Sequence, residues 1–186
     1  MVKSFDIRPA VAADAPAIAD VQVASWNTTY RGLLPDALID RITVPDRTQQ
    51  WTRIINTLDE NGTGKVFVCE ADGKVVGFAS VGAQREPNLK EKGYDAELTS
   101  AYLYQENQRQ GIGNALVSAC FEEGARLGYK GITAWVLTTN TPARAFYEKF
   151  GGEIIEERES DDRHEGVSET AYGWSDLAAK VAKSVS

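Results

Sequence analysis

Between residues 96 and 137 the hydrophobic period changes twice, and that change constrains the architecture more than any other feature. Ala96 to Tyr104 alternates like a strand. From Gly111 the apolar positions switch to helical spacing, with Ile112, Leu116 and Cys120 on one row and Val117 and Phe121 on the next. Gly128 stops that helix, and Ile132 to Leu137 reads as a strand again. Upstream, Lys65 to Glu70 and Lys74 to Val81 are β-branched and aromatic runs joined at Asp72-Gly73, a dipeptide suited to a type I′ hairpin turn. Helices separate some strands and hairpins join others, so the class is mixed α/β with a sheet that is partly antiparallel and partly parallel.

The remaining segments fit that plan. Phe5 to Arg8 opens as a short strand, and Asp14 can cap a helix carrying Ile18, Val21 and the Ala24/Ser25 pair toward Trp26. Gly32 and Pro35 break it, and Asp46 to Leu58 presents Trp51, Ile54, Ile55 and Leu58 on one helical face. Glu86 to Gly93 reads as a polar loop. Thr141-Pro142 predicts a helix start with Thr141 as cap, and Gly151-Gly152 an end. Glu153 to Glu157 and Glu169 to Trp174 are the last strands, and Leu177, Val181 and Val185 recur at helical spacing in the tail. One domain over residues 1–174 with a helical tail at 175–186 is expected.

Apolar residues make up 42% and charged residues 25% of the 186 positions, the balance of an ordinary globular chain. No apolar run approaches a membrane span and the first residues do not form a secretory signal, so no membrane partner and a cytoplasmic location are expected. Cys69 and Cys120 read as buried thiols rather than a disulfide. The net charge of −7 is concentrated between Glu153 and Thr170, where eight acids face only Arg158 and Arg163. That argues against a nucleic-acid surface and reads as a solvated hairpin, with His164 in an exposed turn.

Chemistry concentrates in Gln108-Arg109-Gln110-Gly111-Ile112-Gly113, between a strand and a helix. Glycines at a helix start let backbone N–H groups approach an anion, and the helix dipole adds attraction, so the segment predicts a pyrophosphate seat. A nucleotide P-loop would need Lys then Ser or Thr where Asn114-Ala115 stand, and a dinucleotide fingerprint would need Gly or Ala at Leu116. One histidine and two distant cysteines leave no catalytic zinc set, and Gly77 to Gly82 has the wrong spacing for a serine-hydrolase elbow.

Gln108-x-x-Gly111-x-Gly113 after a strand resembles the Q/R-x-x-G-x-G/A signature of the GNAT N-acetyltransferases. Asn140 to Gly151, with Tyr147 seven residues after Asn140, is similar to the second half of their cofactor region. Ile7-Arg8-Pro9, Asp14-Ala15, Ser25-Trp26 and Tyr30 to Pro35 resemble a bacterial branch of that family, extending the likeness to about Trp174.

The resemblance implies a mostly antiparallel twisted sheet flanked by helices, with a parallel pair splayed where coenzyme A binds. It implies acetyl-CoA as acetyl donor, no metal, and a primary amine acceptor that attacks the thioester directly. The backbone of Ala101, Tyr102 and Leu103 would pair with the pantetheine arm. Gln108, Arg109, Gln110, Gly111, Ile112, Gly113 and Asn114 would hold the pyrophosphate, and Asn140 would bond the arm. Tyr147 matches the general acid that protonates the departing thiolate, and Glu97 stands where many relatives carry the base. Trp135 occupies a position where some relatives use a Glu instead. Trp26 and Tyr30, with Arg31 beside them, flank the acceptor pocket. A small-molecule amine is the leading acceptor, with protein N-termini or lysines, or a non-catalytic CoA-binding module, as alternatives; the tail and last strands could build a homodimer.

Overall fold

The computed structural model describes residues 4–159 and 167–184. The His164 turn and Val185 lie outside the described residues. Chain order is β1 (Phe5–Pro9), α1 (Ala15–Thr29), α2 (Asp36–Ile39), α3 (Val44–Asn61), β2 (Lys65–Ala71), β3 (Lys74–Ala83), α4 (Pro87–Glu91), β4 (Ala96–Leu103), α5 (Ile112–Arg126), β5 (Ile132–Leu137), α6 (Thr141–Lys149), β6 (Glu153–Glu159), β7 (Ser168–Trp174) and α7 (Leu177–Ser184).

The strands form one sheet in the order β1-β2-β3-β4-β5-β7-β6. Asp72 (φ 51°) and Gly73 (φ 73°) both take the left-handed conformation that a type I′ turn demands, and β2 and β3 pair antiparallel across them. Every neighbouring pair is antiparallel except β4 and β5, which the crossover through α5 makes parallel. The mixed, mostly antiparallel sheet expected from the sequence is therefore the observed one.

Alternation along the strands divides the core between the two faces. Ala79, Val81, Ala96, Leu98, Ile132, Ala134, Tyr172 and Trp174 pack with the rows Ile112/Leu116/Cys120 and Val117/Phe121 of α5, and Tyr147 and Leu177 join them. On the other face Val66, Val68 and Phe78 pack under Ile18 and Val21 of α1 and Trp51 and Ile55 of α3. Leu177 is fully buried, with its Cδ2 3.0 Å from where a Cβ on Gly124 would stand, so α7 contributes directly to the core.

Local departures from the sequence reading have simple causes. Glu86 to Gly93 holds the short helix α4, anchored by the buried Leu89, whose single apolar side chain is too little to show as a period. The cap of α6 is Asn140, with its Oδ1 accepting the Ala143 N–H at 3.3 Å, so Thr141 and Pro142 fall within the first helical turn. Helix α3 extends beyond the expected range at both ends, with the Thr43 hydroxyl accepting the Asp46 N–H and Gly62 closing it at φ 60°.

Candidate active site

Strands β4 and β5 pair only at Ala96↔Ile132 and Glu97↔Thr133, although β4 runs on to Leu103 and β5 to Leu137. Beyond Glu97 they separate, and the edge of β4 that faced β5 has no strand partner. Its other edge stays bound to β3. The Tyr104 N–H donates to Val76 O at 3.0 Å, and because antiparallel ladder bonds alternate, the Tyr102 and Ser100 backbone groups face β3. The backbone groups of Ala101 and Leu103 therefore face the gap, where the Leu103 carbonyl already accepts from Ser25 Oγ at 3.2 Å.

An irregularity fixes where the gap begins. The register slips between Ser80↔Ser100 and Val81↔Leu98, making Thr99 the extra residue of a β-bulge. Ser80 Oγ and Thr99 Oγ1 lie 2.6 Å apart, and Thr99 Oγ1 also reaches Ser80 O at 3.3 Å, so the bulge is pinned by side chains as well as backbone. Nothing local in the sequence signals it, because it depends on the partner strand's register.

At the far end of β4 the loop turns into α5. Arg109 (φ 60°) and Gly111 (φ 85°) are both left-handed, which curls the backbone ahead of the helix. The first helical bond runs from the Ala115 N–H to Gly111 O at 3.1 Å, leaving the N–H groups of Ile112, Gly113 and Asn114 without helical partners. No acidic residue occupies that first turn, Arg109 is exposed beside it, and Gln110 Nε2 braces the loop by donating to Glu106 O at 3.0 Å. Free N–H groups at a dipole's positive end together with a cation suit a pyrophosphate. Gly113 packs toward α6, since a Cβ there would sit 3.6 Å from Phe146 Cε2.

Tyr147 of α6 is buried among Phe146, Tyr172 and Trp174, with ring centroids 5.4, 5.8 and 5.9 Å away. Burial pushes its phenol above the ordinary tyrosine range and so keeps the proton on it at neutral pH. The Tyr102 phenol is close enough to add to that shift, so the side chains of β4 and α6 approach one another at the gap.

Glu97, at the last paired position, is only 3% exposed and its carboxylate is gripped by Arg85, from Nε to Oε2 at 2.9 Å and from Nη2 to Oε1 at 2.6 Å. Arg85 is the residue that sequence reasoning missed here; its pairing across β3 and β4 is visible only once the register is known. Next to Glu97, Gln84 Nε2 donates to Thr133 Oγ1 at 2.7 Å and ties β3 to β5 beneath the site.

Trp26 and Tyr30 close the α1 side. Their rings meet edge-on with centroids 4.8 Å apart, and both polar groups approach the Tyr102 phenol. Arg31 serves the loop instead, pairing with Asp36 at 3.2 Å and Asp40 at 2.6 Å. Trp135 lies under Arg158, whose guanidinium carbon is 4.0 Å from the ring centroid and which also pairs with Glu86 and Glu169. Burial pushes the Cys69 thiol up to about 11 and raises that of Cys120 as well, which leaves both poor nucleophiles. No group of potential metal ligands occurs among the described residues. No helix among them is long and apolar enough to cross a membrane.

A splayed parallel pair with a helix N-terminus at its mouth is what the GNAT resemblance implied, and the comparison with protein families agrees: the model of the Acetyltransferase (GNAT) family matches residues 26–152. The chain belongs to the GNAT family. This GNAT enzyme is 32% identical over 174 residues, 93% of its own length and 94% of the relative's, to the uncharacterized N-acetyltransferase YuaI of Bacillus subtilis (strain 168). It is 26% identical over 150 residues, covering 80% of this chain and 74% of the other, to the phosphinothricin N-acetyltransferase of Streptomyces viridochromogenes. In fold it is similar to the PaiA N-acetyltransferase of Thermoplasma acidophilum, solved with coenzyme A, at TM-score 0.71 and 21% identity over 89% of this chain and 98% of that one. Family membership makes the protein an acetyl-CoA-dependent acetyltransferase, with acetyl-CoA as the donor substrate.

Proposed function

We propose that this GNAT enzyme transfers the acetyl group of acetyl-CoA to a primary amine of a small molecule, by direct attack through a tetrahedral intermediate. The observation that carries the reading is the gap between β4 and β5, which has unpaired backbone groups along one wall and the buried phenol of Tyr147 beside it.

In this reading the backbone groups of Ala101 and Leu103 align the pantetheine arm like an added strand, while Tyr102, which the resemblance also implied, keeps its backbone bonded to β3 between them. Asn140, whose Oδ1 is engaged in capping α6, bonds the arm through its amide N–H groups. The loop from Gln108 to Asn114 holds the pyrophosphate. The amine nitrogen attacks the thioester carbonyl carbon, and the oxyanion is met by backbone N–H groups beside the Thr99 bulge. As the C–S bond breaks, Tyr147 donates its proton to the thiolate. The proton lost by the amine passes to Glu97, whose carboxylate keeps lone pairs beyond the two engaged by Arg85. Trp26 and Tyr30 flank the acceptor. Support for a small amine comes from the aromatic enclosure around Tyr102 and from the relative named as a phosphinothricin N-acetyltransferase.

Two measurements test the reading. Acetyl-CoA at ~100 times its dissociation constant is expected to stabilise the fold by ~2.7 kcal/mol, where NAD or ATP at equal concentration does not. Release of CoA thiol is expected to depend on an added small amine. Thiol release that proceeds equally without an acceptor, or only with a protein acceptor, would overturn the proposal.

A further inference from the structure

Three side-chain N–H groups are buried without a hydrogen-bond acceptor among the described residues: Trp26 Nε1, Arg47 Nε and Trp135 Nε1. A buried donor left unmatched inside a protein is unusual enough to call for a cause, and a ligand that supplies the acceptor is one such cause. Trp135 is the weaker candidate, because the Arg158 above it is already paired with Glu86 and Glu169 and an anion there would meet carboxylates. Trp26 and Arg47 differ, because both converge on Tyr102.

Trp26 stands at the end of α1 against Tyr30, and its indole N–H approaches the Tyr102 phenol without closing a hydrogen bond. Arg47 lies one turn before Trp51 on α3. An aromatic chain links that helix to β4: Trp51 and Phe78 meet edge-on at 4.9 Å, and Phe78 and Tyr102 are 5.6 Å apart. The charge of Arg47 is felt at the Tyr102 phenol, and Tyr30 in turn senses both Tyr102 and Tyr147. Arg47 spends one amino group on the Gln50 side chain and makes no salt bridge among the described residues. Around Tyr102 there thus gather a cation without a salt-bridge partner among the described residues, an unmatched indole N–H and two phenols. Such a set is rich in donors, and the carboxylate felt at Tyr30, that of Glu169, is already engaged by Arg158.

We propose that the acetyl acceptor is a primary amine that also carries an oxyanion, such as a carboxylate or phosphonate. The guanidinium of Arg47 holds that oxyanion, with the Trp26 N–H and the hydroxyls of Tyr30 and Tyr102 completing the subsite. A guanidinium and an indole N–H match an oxyanion in charge and in donor count, while a polyamine would bring a second cation against Arg47. Anchoring the anionic end leaves the amine to face Tyr147 and the gap. The inference rests on the small-amine reading and narrows it to one chemical class.

The test compares amino acids, the amides of the same amino acids and aminoalkylphosphonates as acceptors, by CoA thiol release. It uses the wild type and the Arg47→Met, Arg47→Lys and Trp26→Phe variants, each first shown to be folded by its thermal response to acetyl-CoA. In the wild type kcat/KM is expected to favour the acid over its amide by at least ~10-fold. The preference should fall to near unity in Arg47→Met through a higher KM for the acid, recover in part in Arg47→Lys, and drop by ~3-fold or more in Trp26→Phe. A phosphonate favoured over the carboxylate supports the subsite and identifies its oxyanion. Equal use of acid and amide by the wild type, or a preference that survives in Arg47→Met, overturns it. Tryptophan fluorescence of the CoA complex, titrated with the same compounds, reads binding without turnover. Arg47-dependent binding of the acid and not the amide, without thiol release from any small amine, would uphold the subsite and remove the small-amine reaction. Binding of neither overturns both.

Discussion

Arg85 clasps both carboxylate oxygens of Glu97, at 2.9 and 2.6 Å, at the last residue of β4 that pairs with β5 before the strands part. The pair fixes the direction of a buried carboxylate at the mouth of the gap, while Arg85 itself stays largely in solvent. An amine with a pKa near ~10 is almost wholly protonated at neutral pH, so a base at this position matters most at low pH. Glu97→Gln is therefore expected to lower kcat/KM by ~10²-fold or more near pH 7. The defect should narrow as pH rises toward the amine pKa. Rates for wild type and variant measured between pH 6 and 10 check this; a constant ratio across the range would show that Glu97 is not the base.

Tyr147→Phe keeps the ring, and with it the contacts to Phe146, Tyr172 and Trp174, and removes only the hydroxyl. If the phenol protonates the thiolate, kcat falls ~10²-fold or more while the affinity for acetyl-CoA changes little. Steady-state kinetics at saturating acceptor, together with calorimetric titration of acetyl-CoA, separate the two effects. Equal loss of affinity and of kcat/KM would place Tyr147 in binding instead of proton transfer.

The two glycines of the loop should respond differently. Gly111 stands at φ 85° in open space, so Gly111→Ala is expected to cost about 1–2 kcal/mol of stability from backbone strain alone. At Gly113 a Cβ would make ordinary contact with Phe146 at 3.6 Å, so Gly113→Ala should be tolerated. Gly113→Leu should instead press on Phe146 and crowd the free N–H groups, raising the KM for acetyl-CoA ~10-fold or more. Wild-type acetyl-CoA kinetics in Gly113→Leu would move the pyrophosphate seat elsewhere.

What was legible beforehand was local in origin. The rows of α5 announce themselves because Ile112, Leu116, Cys120, Val117 and Phe121 repeat with the helix, and all are buried against the sheet. The Asp72-Gly73 turn was legible because its chemistry admits few backbone shapes. The Thr99 bulge, the Arg85 clasp on Glu97 and the convergence of Arg47 on Tyr102 were not. Each joins residues from different elements, and a slip of one register position would dissolve it. Helix α4 escaped notice for a different reason, since only Leu89 among its polar residues turns inward.

The junction between β1 and α1 offers a test through pH. Asp14 accepts from Arg8 at 2.8 and 2.9 Å and from the Val11 N–H at 2.8 Å, while Arg8 also reaches Glu70 at 3.2 Å. The Arg8 hydrogen bonds hold the Asp14 carboxyl below its ordinary range, against the opposing effect of partial burial. A carboxyl whose pKa is lower in the folded state binds its proton more readily when unfolded. Its stabilisation is therefore complete above the unfolded value of ~3.9 and disappears as pH falls through the lower folded value. Asp14→Asn keeps an oxygen for the Val11 N–H and removes the charge. With Arg8 partly in solvent, the loss at pH 7 is expected to be about 1–2 kcal/mol, below what a buried charged hydrogen bond would give. Urea unfolding at pH 7 and at successively lower pH should show the gap between wild type and Asp14→Asn closing once the pH drops below ~4, where the wild type's own advantage is titrated away. A gap that persists undiminished at pH 2 would mean that the loss in Asp14→Asn is steric and not ionic.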